Sequence, residues 1–176
     1  AIDTGSNNTL VGSGAGDLIT SMTRNTAVGS GALGGSSLVD NCVAIGSQAM
    51  EAAVTAAADG SVAVGNGALK ALTSGARNIA LGYIAGGKIA DGTDNTLIGY
   101  MSGNQDTYGI TSGDFNTALG SNSLGASAAA AITGSSNTAI GYNAMLEAQG
   151  AVASNTAVGS GALNNITIGS YNVAIG

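Results

Sequence analysis

The chain contains no proline, no tryptophan and no histidine, and only one of its 176 residues is a cysteine. Without histidine it lacks the usual general base and the commonest metal ligand, which excludes Ser-His-Asp sites, Cys-His sites and ordinary zinc sites. The single cysteine, Cys42, has no partner for an internal disulfide, and we interpret it as a core residue.

Charged residues are also scarce, at 8% of the chain against about 25% in typical soluble proteins. Four basic residues are too few for the basic patch that nucleic acid requires. No apolar run approaches the roughly 18 residues of a membrane-spanning helix. We therefore expect no nucleic-acid partner and no insertion into a membrane.

Large core-forming side chains are rare as well, since aromatic residues make up 3% of the chain and Leu, Ile, Val and Phe together number 36. In their place stand 30 glycines and 32 alanines. Disordered chains combine low hydropathy with high net charge, whereas this chain has a mean hydropathy of +0.30 and a net charge of −6. The composition favours a regular architecture packed with small side chains.

One short motif, Asn-Thr-Ala-Val-Gly at positions 25–29, recurs along the entire chain. Successive copies follow at nearly constant steps, so we interpret the chain from position 1 to position 176 as a single repeat domain of ten coils. The coils end at Gly12, Gly29, Gly46, Gly65, Gly82, Gly99, Gly120, Gly141, Gly159 and Gly176.

The positions before each glycine form columns with distinct chemistry. The first column is Asn in eight of ten copies, with Cys42 and Ser61 as the exceptions, and the second column is always Thr, Val or Ile. A column of Ala or Leu and a column of Val, Ile or Leu follow. Alternating β-branched residues predict a short strand whose Thr/Val/Ile and Val/Ile/Leu columns share one face, with the alanines on the other.

A second block, such as Ser30-Gly31-Ala32-Leu33, follows most strands and predicts a short second strand or a bend. Stacked coils give an all-β parallel β-roll or β-solenoid. We favour a ladder of side-chain amides for the Asn column over simple turn propensity. The uniformly small alanines indicate close approach of a neighbouring chain, so we expect a side-by-side homotrimer.

The sequence Asn137-Thr138-Ala139-Ile140-Gly141-Tyr142-Asn143-Ala144 resembles the repeat of bacteriophage tail-fibre proteins. The shorter block at positions 61–65 is similar to the head repeats of trimeric autotransporter adhesins. That second resemblance implies a left-handed parallel β-roll that trimerises side by side. Adhesin heads usually have shorter coils than even the shortest ones of this chain, such as the coil from Gly12 to Gly29, which favours the fibre.

No arrangement of residues indicates catalysis. The serines follow the repeat glycines as spacers, and the acidic residues lie between strand blocks, where we interpret them as solvated charges rather than a paired-carboxylate site. Positions 91–95, Asp-Gly-Thr-Asp-Asn, offer oxygen ligands for Ca²⁺ or form an ordinary turn. We expect no cofactor, no metal site and no enzymatic activity.

Binding sites on repeat scaffolds are usually carried by loops, and the extra length of the long coils falls at positions 51–60, 104–114 and 125–136. The second insertion combines amides, a carboxylate and aromatic rings, as sugar-binding surfaces do, or is a surface loop with a packed tyrosine. The tyrosines at positions 83, 100 and 142 share one column, and we interpret them as structural. The candidate receptor-binding residues are Asn104, Gln105, Asp106, Tyr108 and Phe115.

Our first hypothesis is a trimeric tail-fibre segment, part of a longer extracellular fibre, that attaches to a host surface glycan or another receptor. The head of a bacterial surface adhesin is the closest alternative, distinguished by genetic context and a membrane anchor. A third is a monomeric solenoid that binds ice or another repetitive surface through its threonine column. A polysaccharide-cleaving fibre is a fourth, with little support from the residues.

Overall fold

The computed structural model describes residues 5–18, 20–35, 38–52, 54–55, 58–104, 109–126 and 130–176. It contains one short strand for each copy of the repeat, and all ten strands pair in parallel, in chain order, within a single sheet. The ten strands bound nine complete windings, which confirms the predicted all-β solenoid. The strands are β1 (Thr9–Val11), β2 (Thr26–Val28), β3 (Val43–Ile45), β4 (Val62–Val64), β5 (Ile79–Leu81), β6 (Thr96–Ile98), β7 (Thr117–Leu119), β8 (Thr138–Ile140), β9 (Thr156–Val158) and β10 (Val173–Ile175).

The columns of the sequence become the register of the sheet. Ala27 pairs with Ala44 across one of the short coils, and Ala44 pairs with Ala63 across a longer one. Leu97 still pairs with Ala118 across one of the two longest coils. The extra residues of the long coils are therefore accommodated outside the strands, and the sheet itself stays uninterrupted.

The central residue of each strand points into the coil and is buried within a single chain. Seven alanines of this column, at positions 27, 44, 63, 80, 118, 139 and 157, have no exposed surface. They belong to one core cluster with the fully buried Leu33, Met50, Leu69, Leu124 and Met145 of the turns. The contact with another chain predicted for the alanines is therefore wrong. Each coil is so narrow that only a small side chain fits between its strand and its own turn.

The second sequence block is a turn in the described part of the chain, so of the two predicted alternatives it takes the bend and not the short strand. Its residues alternate with positive φ angles, 65° at Gly67 and 49° at Leu69, which extended strands do not have. The turns nevertheless stay bonded to their neighbours, since the Leu69 amide donates to the Ala85 carbonyl oxygen of the next coil at 3.0 Å. Hydrogen bonding from coil to coil is thus kept without an extended backbone.

Parts of the long insertions continue the stack on the return side of the coils. Ile110 forms a parallel bridge with Ile132, which in turn forms one with Gly150. Both isoleucines are fully buried. These described residues of the insertions therefore extend the core.

Candidate functional site

A ladder of buried asparagines runs along the entry to the strands, as predicted. The Asn78 Oδ1 atom accepts hydrogen bonds from both the backbone amide and the side-chain amide of Asn95, each at 3.0 Å. The Asn95 side chain also donates to the Gly113 carbonyl oxygen at 2.8 Å. Both residues are fully buried, so the ladder satisfies polar groups in the interior and holds successive coils in register.

Cys42 and Ser61 replace asparagine at two positions of this ladder, and both side chains still contact the backbone of a neighbouring coil. The Cys42 thiol lies 3.5 Å from the Asp40 carbonyl oxygen and 3.6 Å from that of Ala58, and the Ser61 hydroxyl accepts from the Asn78 amide at 3.2 Å. Burial raises the pKa of the Cys42 thiol to about 11. The thiol is therefore protonated at neutral pH and fully buried, which agrees with a core role and not with a nucleophile.

The outer face of the sheet is formed by the Thr/Val/Ile column and the Val/Ile/Leu column, which flank the buried alanines. None of its twenty positions carries a charge, and only six are threonine. Nothing in the described ranges covers this face: Val11 is 56% exposed, Ile45 39% and Leu119 45%, and the other strands show the same alternation. Four threonines follow one another on strands β6 to β9, at positions 96, 117, 138 and 156.

The acidic residues near the strand entry do more than remain solvated. An Asp40 carboxylate oxygen accepts the Thr23 amide at 2.6 Å, and one of Asp114 accepts the Thr93 amide at 2.7 Å, so these side chains also link neighbouring coils. Asp94 pairs with Arg77 at 2.7 Å, and the hydrogen bond from this guanidinium lowers the pKa of the Asp94 carboxyl.

The candidate calcium ligands of positions 91–95 are largely engaged elsewhere. Asp94 is bonded to Arg77, and the Asn95 side chain belongs to the buried ladder. Throughout the described ranges, no three His, Cys, Asp or Glu side chains cluster in a way that would hold a metal ion. The segment takes the ordinary-turn alternative, with its polar groups used to join coils.

The predicted receptor-binding residues do not form one cluster in the described structure. Gln105, Asp106 and Tyr108 lie outside the described residues. Asn104 follows strand β6 and is buried, with 2% of its surface exposed, and its side-chain oxygen has no hydrogen-bond partner within the described ranges. Phe115 is 62% exposed and precedes strand β7, in the left-handed position before the Asn column, so it lies at the other end of the strands from Asn104.

A groove that the sequence analysis missed lies on the turns that follow strands β3 to β6. It has a volume of about 380 Å³, and its lining includes Gln48, Asn66, Lys70, Tyr83, Lys88 and Asn104. Lys70 and Lys88 are the only lysines of the chain. Lys88 follows Lys70 by one coil plus one position, so the stacking of coils brings the two lysines close together. This spacing is the feature of the sequence that could have indicated the groove.

Comparison of the chain with protein-family models, with curated proteins and with solved structures finds no significant match. Within the described ranges, no helix has the length and apolar character needed to cross a bilayer. Two surfaces of the described structure are candidates for binding: the uncharged outer face of the sheet and the groove on the turns.

Proposed function

We propose that the chain is a structural segment of an extracellular fibre, a β-roll of the phage tail-fibre type that trimerises side by side and serves attachment to a host cell. The observation that carries this proposal is the uncovered outer face of the ten-stranded sheet. Parallel sheets normally have both faces covered. Here the chain's own turns cover the inner face, and the outer face needs a partner.

The size of the outer face supports association between copies of the chain. Ten short strands at a spacing of about 4.8 Å present roughly 500 Å² of flat, uncharged surface. That is at the upper end of the largest apolar patch on a typical monomer, and such patches are often binding sites. A standard interface buries about 800 Å² on each partner, which the flanking turns would complete.

The regular register of the sheet suits cyclic symmetry. Equivalent side chains recur at every strand, so copies placed around an axis parallel to the stack meet through the same columns in every layer. Val, Ile and Leu then pack against their equivalents, and the threonines pair with threonines. Three copies, as the tail-fibre resemblance implies, would bury one face from each chain around a common axis.

The attachment role follows from what such a rod leaves exposed. With the sheet faces buried at the axis, the turns and the insertions remain on the outside, where loops on a rigid scaffold usually carry recognition. The same geometry serves the head of a bacterial adhesin, and the two differ in genetic context and in the anchor. In either setting the proposed role is structural and not enzymatic.

The first experiment is the native mass of the isolated chain, measured by light scattering or native mass spectrometry. A mass of about three times 16.6 kDa is expected. The double variant Leu81→Lys/Ile98→Lys puts charges on the outer face and should give a folded monomer by circular dichroism. Leu38→Lys, which changes an exposed apolar residue off this face, is the matched control and should stay trimeric. A wild-type monomer that is fully folded contradicts the proposal.

A second candidate function is supported by the run of four threonines on strands β6 to β9. Together with Ile98, Leu119, Ile140 and Val158 they present hydroxyl and methyl groups on a flat lattice with a spacing of about 4.8 Å. A monomer with this face free would suit binding to ice or another repetitive surface. Thermal hysteresis of the monomer, lost in Thr117→Lys, is the test that would favour this function over the fibre.

A further inference from the structure

The groove on the turns after strands β3 to β6 concentrates positive charge in an acidic molecule. The chain has ten acidic and four basic residues, and two of the four basic residues, Lys70 and Lys88, lie in this one groove. The Lys70 ammonium is 3.2 Å from a Glu51 carboxylate oxygen and 3.1 Å from the Gln48 side-chain oxygen. In the described structure Lys88 has no ion pair, so the groove keeps one uncompensated positive charge.

That charge indicates a singly charged anion. A lysine also binds phosphate as a point charge, but phosphate sites usually add an arginine fork or several converging backbone amides, and the described lining of this groove contains no arginine. One free ammonium group in a groove of about 380 Å³ matches one carboxylate on a larger neutral body. A volume in this range, above about 300 Å³, is typical of small-molecule sites.

The wall of the groove also carries an unused hydrogen-bond acceptor. Asn104 is 2% exposed, and its Oδ1 atom is buried without a partner in the described structure. A buried acceptor of this kind is unfavourable until a donor reaches it. Asn104 is also part of the groove lining, so a hydroxyl group bound there would supply the donor that this oxygen lacks.

A tyrosine ring forms one apolar part of the lining, beside Ile84 and Met101. Tyr83 stacks on Tyr100 with ring centroids 5.4 Å apart and planes inclined by 10°, which holds the ring in place. On the other side, its neighbour in the column is Asn66; both residues line the groove, and Tyr83 is 46% exposed. The face of an aromatic ring is electron-rich and attracts the weakly positive C–H groups of a sugar ring.

We propose that this groove binds a carboxylate-bearing saccharide, with the carboxylate at Lys88, a sugar ring on Tyr83 and a hydroxyl group donating to Asn104. The inference rests on the proposed attachment function and gives it a ligand class and a location. It places recognition on four stacked coils of the rod, whereas the sequence predicted it at Gln105, Asp106 and Tyr108.

The test is a calorimetric titration of the intact chain with a galacturonic-acid trisaccharide and with sialyllactose. Maltotriose and lactose serve as neutral counterparts, and inorganic phosphate as a plain anion. We expect at least one acidic saccharide to bind, at least tenfold more tightly than its neutral counterpart and than phosphate. Lys88→Gln and Tyr83→Ala should each weaken this binding by tenfold or more.

Two matched variants separate the groove from general effects of charge and aromatic content. Arg77→Gln removes a basic residue outside the groove, and Tyr142→Ala removes a ring from the same column in a different coil. Both should leave the affinity unchanged. The inference is overturned if neither acidic saccharide binds, if neutral sugars or phosphate bind as tightly, or if Lys88→Gln and Tyr83→Ala bind like the wild type.

The native mass of the same samples distinguishes this inference from the fibre proposal. A trimer that fails to bind the acidic saccharides overturns the groove assignment and leaves the fibre proposal standing. A monomer that binds them through Lys88 and Tyr83 supports the groove and contradicts the trimer.

Discussion

A methyl group of Leu97 occupies the space that a side chain on Gly103 would need. Leu97 Cδ1 lies 2.7 Å from the point where a Cβ atom on Gly103 would stand, and 2.8 Å from the corresponding point on Gly86. Leu97 stands in the column that is otherwise mostly alanine, and the two glycines stand in the column that is otherwise mostly Leu or Met. In most coils the strand carries the small residue and the turn carries the large one. Here the strand carries the large residue, Leu97, and the turns carry glycine, so the narrow core stays filled.

This exchange predicts strong coupling between Leu97 and Gly103. Leu97→Ala should lower the free energy of unfolding by about 2–5 kcal/mol, because it leaves a cavity. Gly103→Leu alone should also destabilise, because the site is already filled. The double variant should recover at least half of the loss, since Leu69 and Leu124 occupy the equivalent left-handed position with φ angles of 49° and 50°. Urea unfolding of the four proteins measures the coupling, and strictly additive effects would contradict it.

The strand pattern could be predicted from sequence because each column has one chemical character. The alternation of large and small residues predicts which side chains share a face of the strand, and the spacing of the copies predicts the parallel register. The direction of the alanine face could not be predicted in the same way, since a small residue suits either a narrow interior or a close neighbouring chain. Only the width of the closed coil, set by the turn that carries Leu69, decides between them.

The choice between strand and bend for the second block, and the location of the groove, could not be predicted from the sequence, for different physical reasons. Ala and Leu in the second block match a strand pattern, and nothing in their chemistry shows that Leu69 adopts a left-handed conformation. The groove draws Gln48, Asn66 and Tyr83 from successive coils, so these residues come together only through stacking. The site predicted at positions 104–108 and Phe115 relied on proximity in sequence, which matters less here than column position.

The asparagine ladder should be most sensitive in the middle of the stack. Asn95→Ala removes the acceptor of the Asn116 amide and two side-chain hydrogen bonds, all of them buried. Because unsatisfied buried groups cost about 1–3 kcal/mol each, we expect a loss of about 3 kcal/mol or more. Asn172→Ala, at an exposed position of the same ladder, should cost less than about 1 kcal/mol. In thermal or urea unfolding, a loss for Asn95→Ala as small as that for Asn172→Ala would show that the buried ladder adds little.

The glycines that end strands β1 to β9 should tolerate no side chain. A Cβ atom on Gly82 would overlap the Gly99 carbonyl oxygen of the next coil, and its φ of 138° disfavours L-residues. Gly161 also has a positive φ, 71°, but has open space around it. Gly161→Ala should therefore cost only about 1 kcal/mol, whereas Gly82→Ala should cost about 3 kcal/mol or prevent folding. Similar stabilities of the two variants in urea would refute the close approach between coils.

The raised pKa of Cys42 predicts a loss of stability in alkaline solution. The thiol stays protonated in the folded chain up to its pKa of about 11, whereas in the unfolded chain it ionises around 9.0. The folded state therefore binds more protons between these pH values, and the free energy of unfolding falls as the pH rises. The difference of about two pKa units corresponds to a loss of about 2–3 kcal/mol by pH 11. Below pH 8 the same thiol should make no pH-dependent contribution.

Cys42→Ser provides the control for this prediction, because a serine hydroxyl does not titrate in this range. Unfolding in urea at pH 7.5 and pH 10.5 should show a smaller alkaline loss for the variant than for the wild type. The buried thiol should also react with iodoacetamide only as fast as the chain opens, so added urea should accelerate alkylation in parallel with unfolding. Rapid alkylation of the folded wild type would contradict a thiol that is buried inside the coil. An equal decrease in the free energy of unfolding of the two proteins at alkaline pH would contradict it as well.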